Sequence, residues 1–224
     1  MSSRQSTFRA TVLTRKTLHD AVEAVCAKDS DLARVVAKHG APPLWPRVAG
    51  FATLVHLILE QQVSLASALA VFNRLKVSLP MTAEHFAGLE TSDLRDRGLT
   101  RQKAAYCIGL AEAIVSGELN LKAVRQADDA SARKVLIRVK GIGVWTADCY
   151  LLFCLRRAYI WPDGDLALAE SARWLKRLNA RPDVNHLQRI VAPWSPWRAV
   201  GARILWHSYL AGNRGNAPRL EAPS

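Results

Sequence analysis

At 224 residues, 50% hydrophobic and 22% charged, the chain can bury a sizeable core as one large domain or two small lobes, which excludes a disordered polymer. A formal net charge of +12 and a pI near 10.1, spread in pairs such as Arg15-Lys16, Arg156-Arg157 and Lys176-Arg177, suit a polyanionic partner, with nucleic acid favoured over an anionic membrane. No apolar run approaches the roughly 18 residues of a membrane span and the N-terminus carries no apolar h-region, so a soluble, cytoplasmic protein is expected.

Helical periodicity recurs in chain order over roughly 17–28, 31–38, 51–61, 64–77, 82–88, 101–116, 131–138, 144–156, 165–178, 185–191 and 196–211. Short breakers such as GAPPLWPR, RPDVN and APWSP separate these segments, and strand alternation is scarce. The predicted fold class is all-α. The Pro-rich APPLWPRVAG at 41–50 sets a small N-terminal helical part apart from the main body. Beyond it Phe51, Leu54, Val55, Ile58 and Leu59 fall at i, i+3, i+4, i+7 and i+8, one continuous buried face. That face runs into EQQVS, residues 60–64, where polar groups require the helix to end or turn. His56, on the same helix, reads as a packed or surface histidine.

The four cysteines, Cys26, Cys107, Cys149 and Cys154, form no C-x-x-C pair, and the six histidines form no H-x-x-x-H pair. Buried thiols are expected, and no metal or cofactor. In LIRVKGIGVWTADCYLLF, residues 136–153, one helix ends at Val139-Lys140, the turn is Gly141-Ile142-Gly143, and a second helix starts near Val144. Glycines there permit positive φ and close approach of a ligand, and the following helix offers unpaired N–H groups to a phosphate, with Ile142 as a core anchor. Downstream, WPDGDLALAES holds Asp163 and Asp165. Pro-Asp-Gly is a turn sequence, and an aspartate before Leu-Ala-Leu-Ala-Glu is a helix N-cap, so local chemistry leaves capping and catalysis both open. The tail GNRGNAPRLEAPS reads as disordered, and no internal repeat is present.

The string Val-Lys-Gly-Ile-Gly-Val-Trp-Thr-Ala resembles the DNA-binding hairpin of the helix-hairpin-helix (HhH-GPD) DNA glycosylase superfamily. Asp165 follows Gly143 by 22 residues, close to the spacing that family keeps between hairpin and catalytic aspartate. LILEQQVSLASA, GLTRQKAAYCIGLAEAI (98–114) and PWSPWRAVGARILWHSYL (193–210) are similar to three further family segments in the same order, so the resemblance covers roughly residues 45–210. The subgroup it looks like is bacterial 3-methyladenine DNA glycosylase II in a short form, without room for the N-terminal β domain of longer members.

The resemblance implies two helical lobes, residues 1–50 plus 165–224 and residues 51–164, the latter containing the helix-hairpin-helix at about 131–156, with the active-site cleft between them. It implies excision of alkylated bases from double-stranded DNA in base excision repair, by a monomer that is nucleoid-associated if bacterial. Asp165 is then the catalytic carboxylate, and Trp145, Trp206 and Tyr150 line the base pocket. Lys140, Gly141, Ile142, Gly143, Val144 and Thr146 form the DNA-binding hairpin, and Gln62 is the wedge, with Gln61 a rival. Trp145 stands where strand-cutting relatives carry their Schiff-base lysine, so no lyase activity is expected. No iron–sulfur cluster is implied, since the last cysteine is Cys154. Four residues after Trp145, where the subgroup has an aromatic, this chain has Cys149, with Tyr150 beside it. Asp163 is left as a turn residue, and Arg101 and Lys103 are candidate phosphate contacts. The alternatives are a glycosylase for deaminated or oxidised bases, and a non-enzymatic DNA-binding hairpin protein.

Overall fold

A computed structural model describes residues 11–212; the tail from residue 213 lies outside them. The described residues form α1 (Arg15–Cys26), α2 (Ser30–His39), α3 (Phe51–Glu60), α4 (Leu65–Ser78), α5 (Ala83–Ala87), α6 (Thr91–Arg95), α7 (Arg101–Val115), α8 (Leu121–Gln126), α9 (Asp129–Leu136), α10 (Val144–Cys149), α11 (Leu166–Leu175), α12 (Val184–Val191) and α13 (Arg198–Gly212). Among them there is no strand, only one isolated antiparallel bridge between Val12 and Arg157. Most helices start on a side chain that accepts a first-turn N–H, including Thr14, Asp29, Ser64, Thr100, Asp128 and Asp183. The exceptions that matter are α3 and α10, which begin on Gly50 and Gly143 with no side-chain cap.

Three elements differ from expectation. The short helices α6 and α8 have five and six residues, too few for a helical period to stand out. The single helix expected over 144–156 changes character: α10 passes at Tyr150–Cys154 into a π-helical turn, closed by Leu155 N–H donating to Tyr150 O.

Two groups of helices organise the core. α1, α2, α11 and α13 pack on one another, so both ends of the described chain meet there. α3 packs against α4, α7 and α10, α7 against α5 and α6, and α9 against α8 and α10. α3 is enclosed almost all round: Phe51, Leu54, Val55, Leu57, Ile58, Leu59 and even Glu60 are buried. Arg203 of α13 is buried entirely. Its guanidinium donates to Leu44 O, Ala199 O and Leu152 O at 2.9 to 3.0 Å, which a buried cation requires. Burial pushes its pKa down to about 9. These bonds fasten the Pro-rich segment and the π-helical turn to α13.

Candidate active site

The hairpin between α9 and α10 is fixed from both sides. Gly141 has φ of 97°, and a Cβ there would overlap the Tyr106 ring, so backbone conformation and packing both call for glycine. Ile142 is buried as the anchor. Gly143 has φ of −83° and needs no positive φ, contrary to the expectation for both glycines. A Cβ there would meet nothing within 4 Å. The turn therefore opens to solvent in front of the uncapped first turn of α10, flanked by exposed Lys140 and Val144.

The end of α3 is tied to this hairpin. Gln61 Nε2 donates to Gly141 O at 2.8 Å and to Thr146 Oγ1 at 2.9 Å. Lys103 Nζ donates to Leu59 O and Gln61 O, the terminal carbonyls that a helix leaves unpaired. Lys103 thus caps α3, which corrects its reading as a phosphate contact; Arg101 remains exposed. Thr146, expected on the DNA face, is buried beneath Gln61. Gln62 follows with φ of 59° and stands exposed ahead of Ser64, the cap of α4.

Asp165 does two jobs at once. As N-cap of α11 its Oδ1 accepts Leu168 N–H at 2.8 Å. The same carboxylate accepts Trp145 Nε1–H on Oδ2 at 2.9 Å and Trp206 Nε1–H on Oδ1 at 3.2 Å. Three donors from α10, α11 and α13 converge on a group that is only 8% exposed. Its loop is held as well: Asp163 Oδ1 accepts Gln188 Nε2–H at 2.6 Å, consistent with a turn residue. Asp148, fully buried on α10, pairs with Arg133 at 2.6 Å; burial pushes its carboxyl up to about 6.

A family model of the HhH-GPD superfamily of base excision DNA repair proteins matches residues 55–196. The chain belongs to the HhH-GPD superfamily. The DNA-3-methyladenine glycosylase of Bacillus subtilis is 31% identical over 169 residues, 70% of this chain and 56% of that protein. A second protein of B. subtilis, described as a putative DNA-3-methyladenine glycosylase, is 26% identical over 80% of this chain and 66% of its own length. The chain thus spans between about half and two thirds of these two curated relatives. Among solved structures, DNA-3-methyladenine glycosidase of Bacillus halodurans superposes with a TM-score of 0.69 at 28% identity, covering 90% of this chain and 94% of that one. The Schizosaccharomyces pombe 3-methyladenine DNA glycosylase in complex with abasic DNA gives a TM-score of 0.79 at 23% identity, over 86% and 96%.

On this HhH-GPD frame the structure brings Asp165, Trp145 and Trp206 together and places Tyr150 elsewhere. Tyr150 is 1% exposed, its hydroxyl faces the Gly50 backbone, and burial pushes its pKa above the usual range; a ring so enclosed has no free face for a base. The aromatic that joins the cluster is Phe153, partly exposed within the π-helical turn and stacked on Trp206 at 5.2 Å between centroids. Arg47 lies over Phe153, 5.3 Å from its centroid, and pairs with both oxygens of Glu60 at 3.1 and 2.7 Å. Phe153, Arg47 and Glu60 were missed in the sequence. Glu60, a charge at the end of an otherwise apolar helix, was the only signal of them. Among the described residues no group of three His, Cys, Asp or Glu side chains is placed to hold a metal, and no helix is long and apolar enough to cross a membrane.

Proposed function

We propose that this protein is a monofunctional DNA glycosylase that flips an alkylated purine of the 3-methyladenine type out of double-stranded DNA and hydrolyses its bond to the sugar. The observation that carries this reading is the Asp165 carboxylate, held by two indole N–H groups where α10, α11 and α13 meet. Both indoles are donors only, so their geometry suits a group that acts as an acceptor. Cleavage of the glycosidic bond sends its electron pair to the base and leaves oxocarbenium character at C1′, which a fixed carboxylate stabilises. A purine methylated on a ring nitrogen is already positively charged and departs as a neutral base without an added proton. Water then adds to C1′, and its proton passes to Asp165 or to solvent. The abasic DNA bound to the S. pombe enzyme is the product such a reaction leaves.

The remaining assignments rest on placement. The faces of Trp145 and Trp206 offer stacking and cation–π contact to the flipped base. Gln62, exposed on its left-handed turn, is the wedge that fills the gap; Gln61 spends its amide on the hairpin. Gly141, Gly143 and Val144, with Lys140 beside them and Ile142 as anchor, present the first turn of α10 to a backbone phosphate. The lobe boundaries fall at 50/51 and 164/165, with the cleft between. Trp145 in place of a Schiff-base lysine makes the enzyme a hydrolase without lyase activity. It works as a monomer in the cytoplasm, on the nucleoid in a bacterium.

The test is mass spectrometry of bases released from methylated duplex DNA by wild type and by Asp165→Asn, with DNA binding checked for both. Release of 3-methyladenine or 7-methylguanine by wild type alone is expected, with no covalent adduct trapped by borohydride. If both proteins bind and neither releases an alkylated base, the reading gives way to deaminated or oxidised lesions, or to binding alone.

A further inference from the structure

The π-helical turn does more than end α10. Of its five residues only Phe153 reaches partial exposure, and its ring stacks on Trp206, whose indole binds Asp165. Two guanidinium groups lie close to that ring, Arg47 at 5.3 Å and Arg203 at 5.8 Å from its centroid. Arg203 is bound by three backbone carbonyls, which are dipoles and carry no compensating charge. Arg47 is different: Glu60 binds it through both oxygens, with side-chain exposures of 16% and 4%. His56 Nε2 lies 3.5 Å from Glu60 Oε1, and burial pushes that imidazole down to about 4, so at neutral pH it adds no positive charge. The ion pair is linked to the carboxylate at the site through two ring contacts, Arg47 over Phe153 and Phe153 on Trp206, whose indole donates to Asp165.

Arg203, held only by carbonyl dipoles, already sets one cation behind this wall; an uncompensated Arg47 would add a second against a base stacked there with a formal positive charge. We infer that Glu60 is a specificity-determining residue: by neutralising Arg47 behind the Phe153–Trp206 wall it lets the pocket hold a cationic base, and so sets the preference for N-alkylated purines over neutral lesions. The inference rests on the alkylated-base reading above. An unpaired charge a few ångströms behind the ring changes the energy of a cationic occupant enough to shift its excision on the order of tenfold, while a neutral occupant is little affected.

The experiment compares single-turnover release of 7-methylguanine and of hypoxanthine from defined duplexes, with affinity for abasic duplex as a measure of folded, DNA-competent protein. Wild type, Glu60→Gln and the double variant Arg47→Gln/Glu60→Gln are compared. Glu60→Gln is expected to lower 7-methylguanine release about tenfold while keeping abasic-DNA affinity within about twofold, with hypoxanthine gaining relative to 7-methylguanine. The double variant, which restores the wild-type net charge at the pair, is expected to return 7-methylguanine release toward wild type. A purely structural pair would instead lower abasic-DNA affinity together with release of every base, and that result overturns the inference. So does wild-type 7-methylguanine release by Glu60→Gln, or no recovery in the double variant. Wild type that releases hypoxanthine and neither 7-methylguanine nor 3-methyladenine overturns the alkylated-base reading itself, and the inference with it.

Discussion

Asp165 shows how a single side chain in a turn can cap a helix and still hold two indole groups. As a cap it needs one oxygen; the other is free to meet Trp145. Asp165→Asn keeps an oxygen for Leu168 N–H but points an N–H group at an indole donor. We expect base release to fall at least about 10²-fold, the scale of losing a preorganised electrostatic contact, with the melting temperature changed by only a few degrees. The neighbouring glutamines separate by the same logic. Gln61→Ala strands Gly141 O and Thr146 Oγ1 and is expected to cost about 1–3 kcal/mol in denaturant unfolding. Gln62→Ala leaves stability within about 0.5 kcal/mol and slows excision. Equal unfolding midpoints for the two would refute the distinction. Trp145 and Asp165 were legible because a specific hairpin string fixes the register just downstream of it, and Trp206 because the segment 193–210 resembles the family's last helix. Phe153, Arg47 and Glu60 were not, because an apolar run, a Pro-rich loop and a helix end meet only through tertiary packing.

At the scale of elements, the helical plan was legible wherever a segment ran two turns or more with one apolar face, as in α3. It was not legible where the segment was short, as in α6 and α8, or where every side chain is apolar. CYLLFC is apolar on all sides, so nothing in its pattern signals that an extra residue is accommodated at 150–154. The hairpin supplies the sharpest prediction at this level. Gly141→Ala must fit a Cβ at φ of 97° against the Tyr106 ring, and a loss of about 1–3 kcal/mol is expected from the conformation alone. Gly143→Ala meets neither obstacle and should unfold near the wild-type midpoint while binding DNA more weakly, because its methyl group would occupy the open space proposed above for a backbone phosphate. Comparing unfolding and duplex affinity for the two variants checks both statements.

At the scale of the whole molecule, a half-buried histidine and a buried aspartate oppose each other in acid. Burial lowers His56 from 6.5 to about 4, so its contribution is present above pH 6.5 and lost as pH falls toward 4. Burial raises Asp148 from 3.8 to about 6, so its contribution is present below pH 3.8 and lost as pH rises through 6. Over pH 4 to 6 the two slopes offset, each spanning up to about 3 kcal/mol. His56→Phe, which retains the stacking on Phe72, should unmask the aspartate: relative to wild type its stability falls as pH rises from 4 to 6, read from denaturant midpoints. The net charge of +12 acts at the same scale. If six or more phosphates are contacted, duplex affinity should drop about 10³-fold between about 50 and 200 mM salt, and a flat salt titration would deny the basic surface a role.

The staple made by Arg203 carries a consequence for how the protein is born. A ribosome releases the hairpin and Asp165 well before it releases α13, yet Trp206 and Arg203 both belong to that last helix. Until it emerges, the carboxylate lacks one of its indole donors, and the Pro-rich segment and the π-helical turn lack the guanidinium that joins them. A chain cut short before α13 therefore lacks both the indole that binds Asp165 and the guanidinium that ties the Pro-rich segment to the π-helical turn.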